Sequence, residues 1–179
     1  MQRIVPSIST LAQHHHAMAQ GAHEYRLRAC PHCGLGKPWR HGCYMRKVDR
    51  HAQPGGARRL AAVCRYFCRG CRHTHSRLPL CIAPLRWYDW AVQQLALMLL
   101  LAGASLRAAA RYVAVDRRTA RRWRDWLHAA SATRHVFHIR SQWPALGRTE
   151  DGPPFWREVF ARPGLAQAMA YLDRLMTVP

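Results

Sequence analysis

The chain changes from strand-like to helical patterning near residue 85. Before that point, HGCYMRKV (41–48) and RLAAVCRYFC (59–68) have the composition of short strands, and AQPGGA (52–57) lies between them. Two short strands around a Pro-Gly-Gly loop are typical of a β-hairpin. After that point Ala, Leu, Arg and Trp recur with helical spacing. The pattern therefore predicts an α+β fold, with a small β-rich part followed by an all-α part.

The first predicted helix includes the apolar run WAVQQLALMLLLAGA (90–104) and ends at Gly103. This run is short for a membrane span and contains two glutamines, so we interpret it as a buried helix. Its apolar residues keep to one helical face, which comprises Trp87, Ala91, Leu95, Met98 and Leu101.

Two more helices are predicted after it. Ser105 is a suitable N-cap for LRAAARYV and Asp116 for RRTARRWRDWLHAA, with only Ala114-Val115 between them. A helix, a short turn and a second helix form the arrangement of helix-turn-helix DNA readers. The residues expected to face inward are Ala109, Ala110, Val113, Ala120, Trp123 and Leu127.

The charge of the chain narrows the choice of partner. It has 28 basic and 9 acidic residues, a net charge of +19, and Lys37 and Lys47 are its only lysines. A GC-rich genome also favours arginine, but a field this positive attracts polyanions, DNA or RNA first and an anionic membrane surface second. The start of the chain lacks a secretory signal, which favours a reducing compartment such as the cytoplasm. The seven cysteines are then expected to be ligands or free thiols.

Two C-x-x-C pairs, Cys30–Cys33 and Cys68–Cys71, flank the predicted hairpin. Each such turn directs two thiolates at one point, and two turns complete a tetrahedral Zn²⁺ site. A redox dithiol is the alternative for either pair alone. Other residues could take part as well. His32, His41, His73 and His75 could replace a cysteine, whereas Arg65, Arg69 and Arg72 could neutralise the thiolates, reach phosphate or remain solvated.

Cys64 lies four residues before Cys68 on the predicted strand, about 13 Å away and too far to share the ion. We expect it to be a packed thiol that faces Cys43.

The third helix leaves a basic face beside its predicted apolar stripe. In a recognition helix the N-terminal residues meet base edges, and arginine fits guanine. We expect Arg117, Arg118 and Arg121 to face bases. Thr119 lies on the same face, and Arg107, Arg122 and Arg124 are expected to contact phosphates. A solvated basic face is the alternative.

These motifs resemble a known group of proteins. CPHCG, RHGCYMR and RYFCRGCRHTHSRLPLCIAPLRWY are similar, in this order, to an uncharacterised bacterial zinc-ribbon family found with insertion sequences. SLRAAARYVAVDRRTARRWRDWL is similar to helix-turn-helix segments at the front of many transposases. The resemblance covers about residues 24–130, and it implies bound zinc, a double-stranded DNA partner, association with the nucleoid and a transposase or recombinase as a second partner.

The predicted organisation is therefore a disordered tail (1–23), a zinc ribbon (24–84), a helix-turn-helix domain (85–131) and a linker with a C-terminal helical tail (132–179). The tail reads as two short helices broken at Pro163-Gly164. One face of the last helix either packs on its own domain or forms a homodimer seam. This face contains Leu165, Met169, Leu172 and Met176.

The carboxylates argue against catalysis. Strand transfer needs clustered carboxylates, and the nine in this chain are scattered, with no room after residue 130 for an RNase-H-like domain. We therefore expect no enzyme and no membrane partner, but a zinc-containing, sequence-specific DNA-binding protein. It would be a transposition accessory factor or the DNA-binding part of a transposase. The alternatives are a transcription regulator, a nuclease or recombinase fragment, and a sequence-tolerant RNA or single-strand binder that stacks bases on Tyr44, Tyr66 or Phe67.

Overall fold

The computed structural model describes residues 3–48, 60–84, 88–129, 131–176 and 178. The chain forms two compact units. The first comprises Met1–Asp89 and Asp173–Thr177, and the second Trp90–Leu172 and Val178–Pro179. Among the described residues, a four-stranded sheet lies in the first unit and six of seven α-helices lie in the second. The predicted α+β fold class is therefore confirmed.

The sheet has the strand order β1-β4-β3-β2, in which β1 is parallel to β4 and the other neighbours are antiparallel. Its strands are β1 (Ile4–Val5), β2 (Trp39–Lys47), β3 (Leu60–Phe67) and β4 (Thr74–Pro79). The two strands of the predicted hairpin are confirmed as β2 and β3. The Pro-Gly-Gly loop between them, 52–57, lies outside the described residues.

The central strand β3 is buried on both faces. Ala61 and Val63 belong to an apolar cluster with Val48, Leu78 and Ile82. The alternate residues Cys64 and Tyr66 belong to a second cluster, whose other buried members are Val5, Ile8, Ala17, Ala22, Tyr25 and Leu27. Because side chains alternate along a strand, one short strand supports both halves of the small core.

The prediction of a disordered tail over residues 1–23 is wrong for residues 3–23, the part of the tail that the structure describes. Thr10 begins helix α1 (Leu11–Ala19) with a reciprocal capping box to Gln13, and a 3-10 turn follows at His23–Tyr25. Ile4, Val5 and Ile8 are buried. The mostly polar composition of this N-terminal segment does not predict its order, because only a few apolar residues, at the right spacing, are needed to cover the small sheet.

The described residues of the second unit form six α-helices. They are α2 (Trp90–Leu101), α3 (Leu106–Tyr112), α4 (Arg117–His128), α5 (Ser131–Gln142), α6 (Pro153–Ala161) and α7 (Gly164–Leu172). The predicted break at Pro163-Gly164 is confirmed between α6 and α7. The predicted linker over 132–152 is wrong in its first half, where α5 lies.

Helix α2 buries a different face from the predicted one. Ala91, Leu95 and Met98 are exposed, and the face that turns inward comprises Trp90, Gln93, Ala96 and Leu97. Apolar spacing could not identify this face, because α2 is apolar almost all round. Gln94 helps to fix the orientation, since it accepts a hydrogen bond from Leu165 N at 2.6 Å and donates one to Phe160 O at 3.3 Å. Trp87 lies outside the described residues.

The C-terminal helix α7 packs against α2, α5 and α6. Leu165, Met169 and Leu172 are fully buried in the chain itself. The predicted homodimer seam is therefore wrong for these residues. They pack on their own domain, which is the other possibility that the sequence left open. Among the described residues, no helix is long and apolar enough to cross a membrane.

Candidate functional site

The four cysteines of the two C-x-x-C pairs converge on one point. Their sulfurs all lie within 4.8 Å of one another. The Sγ–Sγ distance is 3.6 Å between Cys30 and Cys71 and 3.7 Å between Cys33 and Cys68. A tetrahedron with metal–sulfur bonds of about 2.3 Å has edges of about 3.8 Å. The cluster therefore has the dimensions of a four-thiolate metal site.

Both pairs adopt the same backbone turn. Gly34 N donates to Cys30 O at 2.9 Å, and Arg72 N donates to Cys68 O at 2.8 Å. The donor residue is left-handed in each case, with φ of 72° at Gly34 and 60° at Arg72. Gly70 has another role, because a Cβ there would lie 3.6 Å from Cys33 Sγ. The absence of a side chain at Gly70 keeps space open beside the sulfurs.

The backbone of the first turn also favours the ionised form of the Cys30 thiol. Burial opposes the charged form of Cys30, but hydrogen bonds from the backbone N–H groups of Cys33 and His32 outweigh it and lower its pKa to about 7. Burial raises the pKa of Cys71 to about 12. Four neighbouring thiols cannot all lose their protons without a compensating cation, and a bound divalent ion supplies that charge.

Three of the four histidines considered as substitute ligands lie around this cluster. His75 Nε2 is 3.3 Å from Cys30 Sγ and is buried. The rings of His32 and His73 stack at 4.0 Å, and both come within 4.8 Å of the Cys71 sulfur. The fourth, His41, has its ring 5.8 Å from that of Phe67. The four sulfurs form the complete tetrahedral set, and the neighbouring imidazoles can donate hydrogen bonds to thiolates.

The remaining cysteines of the sheet form a separate pair. Cys43 and Cys64 are opposite each other on β2 and β3, with their Sγ atoms 3.7 Å apart. Burial raises the pKa of Cys64 to about 11, so this thiol stays protonated. The prediction that Cys64 is a packed thiol facing Cys43, outside the metal cluster, is confirmed.

The α3–α4 region follows the predicted caps. Ser105 Oγ accepts from Ala108 N at 3.1 Å, and Asp116 Oδ1 accepts from Arg118 N at 2.7 Å. All six residues expected to face inward are buried: Ala109, Ala110, Val113, Ala120, Trp123 and Leu127. The helices therefore use their small and aromatic residues for packing.

The arginines of α4 are left on its outer side. Arg117, Arg118, Arg121 and Arg122 are exposed, as is Arg107 of α3. Thr119 and Arg124 are half-buried, and Arg124 Nη2 is 2.9 Å from Asp125 Oδ1. The structure thus brings four arginines together on two adjacent rows of one helix, 117 with 121 and 118 with 122, and it partly removes Arg124 from that surface.

The sequence did not predict one basic surface, which lies in the first unit. A cavity of about 530 Å³ in the first unit is lined by Trp39 and by the cations Arg26, Arg28, Lys37 and Arg40. Trp39 is 57% exposed. Tyr66, one of the three aromatic residues expected from the sequence to stack on bases, is buried. An available signal was the segment KPWR (37–40), in which one aromatic residue stands between basic ones.

Fold and site together define a two-unit α+β protein with a four-cysteine candidate metal centre. The chain belongs to the family described as a domain of unknown function, DUF6431, whose model matches residues 30–123. That match begins at the first cysteine of the centre and ends within α4, at Trp123. No curated protein and no solved structure matches the chain.

Proposed function

We propose that this protein is a zinc-containing, sequence-specific reader of double-stranded DNA that works in transposition without being the catalyst. In this proposal the sheet with its four cysteines is a zinc ribbon, and α3 and α4 form a helix-turn-helix with α4 as recognition helix. The observation that carries the proposal is the set of exposed arginines on α4, opposite a fully packed face.

The electrostatics of α4 support an anionic partner. Arg117 and Arg121 are an i,i+4 pair of like charges, and so are Arg118 and Arg122. Such pairs destabilise an isolated helix. Phosphates would remove that repulsion, and a guanidinium reaching past them into the major groove would meet guanine O6 and N7. Solubility alone would not require four neighbouring charges of one sign on a helix.

The donor set supports zinc as the metal. Four thiolates at tetrahedral spacing suit Zn²⁺, which is redox-inert and usually structural in such sites. Cys30, Cys33, Cys68 and Cys71 would hold it. The ion would then join the loop before β2 to the turn after β3 and contribute to the folding free energy of a sheet with only a small core.

The use of the carboxylates supports a non-catalytic role. Asp116 caps α4, and four others form ion pairs: Asp125 with Arg124, Asp151 with Arg140, Glu158 with Arg162 and Asp173 with Arg3. Divalent-ion chemistry on DNA uses carboxylates that are grouped and free to bind metal. A transposase or recombinase partner would supply them.

A transcription regulator would use the same surface, so biochemistry on the isolated chain does not separate the two roles. The location of the binding sites does. Sites at the ends of a mobile element support the transposition role, and sites in promoters support regulation.

The test is selection of duplex DNA from a random pool by the zinc-loaded chain at two salt concentrations. We expect a recurring motif that Arg118→Ala and Arg121→Ala weaken. Arg148→Ala, which removes an exposed arginine outside α4, is the matched control. Binding without a motif that collapses as salt rises would leave only phosphate attraction and overturn the proposal.

A further inference from the structure

The Trp39 cavity has the chemistry of a site for single-stranded nucleic acid. The ionisable side chains among the described residues that line it are all basic or histidine, and Arg26, Arg28, Lys37 and Arg40 are all exposed. These cations surround an exposed indole. A positive groove that carries an aromatic platform is the usual construction of sites that stack unpaired bases.

Trp39 is held in a position suited to stacking. The guanidinium carbon of Arg69 lies 3.7 Å from the centroid of the Trp39 ring system. This cation–π contact fixes one side of the indole. Because 57% of the side chain is exposed, ring surface remains accessible to a base. Exposing an indole costs hydrophobic free energy that burial would recover, and a stacked base recovers it.

The basic surface extends beyond one nucleotide. A second cavity, of about 460 Å³, shares Arg26 and Arg28 with the first and adds the exposed Arg174, whereas Arg77 in its wall is buried. The two cavities therefore form one basic track within the first unit. A track with repeated cations suits a phosphodiester chain better than a free nucleotide, whose charge is confined to one end.

We propose that this track, defined by Trp39, Arg26, Arg28, Lys37 and Arg40, binds single-stranded DNA or RNA by stacking an unpaired base on Trp39 and pairing the arginines and Lys37 with phosphates. The site lies in the first unit, whereas the proposed duplex-reading helix α4 lies in the second. It does not depend on α4 reading DNA. It gives the protein a means of holding an unpaired strand, such as a melted end, in addition to a duplex.

The test uses the zinc-loaded full chain and fluorescence anisotropy with three labelled probes. They are a 12-nucleotide oligothymidylate, an abasic strand of equal length, and a duplex. Trp39→Ala should weaken oligothymidylate binding about tenfold. It should leave binding to the abasic strand unchanged, since that strand keeps the phosphates but offers no base. Arg28→Ala and Lys37→Ala should weaken binding to both single strands.

Three further variants test whether the effect depends on the aromatic ring of Trp39. Met45→Ala removes another exposed apolar side chain of β2, 60% exposed, and should have no effect. Trp39→Phe keeps an aromatic ring and should retain most of the affinity. Trp39→Leu keeps an apolar side chain without a ring and should lose affinity as Trp39→Ala does, so it carries the test if the alanine variant fails to fold. Zinc content and circular dichroism establish that each variant is folded.

Three outcomes would overturn the inference. They are unchanged oligothymidylate affinity in the folded Trp39→Ala or Trp39→Leu protein, equal losses on thymidylate and abasic strands, and a loss of single-strand binding in Arg118→Ala instead. The last would place all nucleic-acid binding on α4. Loss of duplex binding in Arg118→Ala with intact single-strand binding supports both proposals, and intact duplex binding there counts only against the α4 proposal.

Discussion

Asp173 forms a buried ion pair with Arg3, 170 positions away in the sequence. Asp173 Oδ1 lies 3.0 Å from Arg3 Nε, and its other carboxylate oxygen accepts hydrogen bonds from the backbone N–H groups of Arg3 and Ile4. Only 1% of the Asp173 side chain is exposed. Burial lowers the pKa of the neighbouring Arg77, and the negative charge of Asp173 opposes that shift. One carboxylate thus fixes the first strand and offsets buried positive charge.

Replacing Asp173 by Asn should therefore destabilise the protein strongly. The change removes the buried negative charge that faces Arg3 and Arg77, and breaking a buried pair in this way typically costs about 3–5 kcal/mol. The free energy of unfolding, measured with denaturant on the zinc-loaded chain, reports it. Glu158→Gln removes a partner from the exposed Arg162 pair and should cost less than about 1 kcal/mol. Equal small losses in both variants would mean that the Asp173 pair is solvated.

Metal binding should depend on one set of cysteines only. Cys33→Ser removes a ligand of the candidate centre, so zinc content measured after dialysis should fall from one ion per chain towards zero, and thermal stability should fall with it. Cys43→Ser, in the separate Cys43–Cys64 pair, should retain the full zinc content. Loss of zinc in both variants would contradict the four-cysteine assignment.

The sequence predicted the features that local chemistry specifies. The spacing of Cys30, Cys33, Cys68 and Cys71 identified the cluster because a C-x-x-C turn has little conformational freedom. Ser105 and Asp116 marked helix starts because an N-cap needs a side-chain acceptor at one position.

Features that depend on distant contacts could not be predicted in this way. The order of residues 3–23 rests on burial against β3 and β4 and on Asp173, which no local pattern contains. The orientation of α2 depends on Gln94, which donates a hydrogen bond to Phe160 of α6 and accepts one from Leu165 of α7. The groove at Trp39 depends on segments 23–28 and 37–40 meeting in space.

The two C-x-x-C turns of the candidate metal centre offer a test of backbone strain. Gly34 and Arg72 occupy equivalent left-handed positions, at which a side chain costs about 1 kcal/mol. Gly34→Ala should therefore lower the unfolding free energy by about this amount, although nothing lies within 4 Å of the added Cβ. Arg72→Gly should relieve the strain at the second turn and leave zinc content unchanged. Destabilisation by Arg72→Gly would instead reveal a stabilising contact of the arginine side chain.

His14 should make stability depend on pH. Its Nδ1 is 2.6 Å from Tyr25 Oη, and burial, followed by the charge of His15, lowers its pKa below 6.5. The unfolded chain then binds a proton more readily than the folded one, so stability is lost as pH falls below about 6.5. The difference in unfolding free energy between wild type and His14→Gln should shrink over that range. His16→Gln, at an exposed position of α1, is the control for replacing a histidine in this helix.

The arginines of α4 should divide into two kinds by their effect on DNA binding. If Arg118 and Arg121 reach base edges, replacing either by Ala should cost about 1–3 kcal/mol on the selected motif, blur one base pair of it, and leave non-specific duplex binding nearly intact. Arg107→Ala and Arg122→Ala should weaken binding to every sequence alike and reduce the slope of log K against log salt by about 1. Competition binding with motif and scrambled duplexes at several salt concentrations measures both quantities. A uniform loss in all four variants would mean that α4 contacts only phosphate, and the specificity would then have to come from another surface.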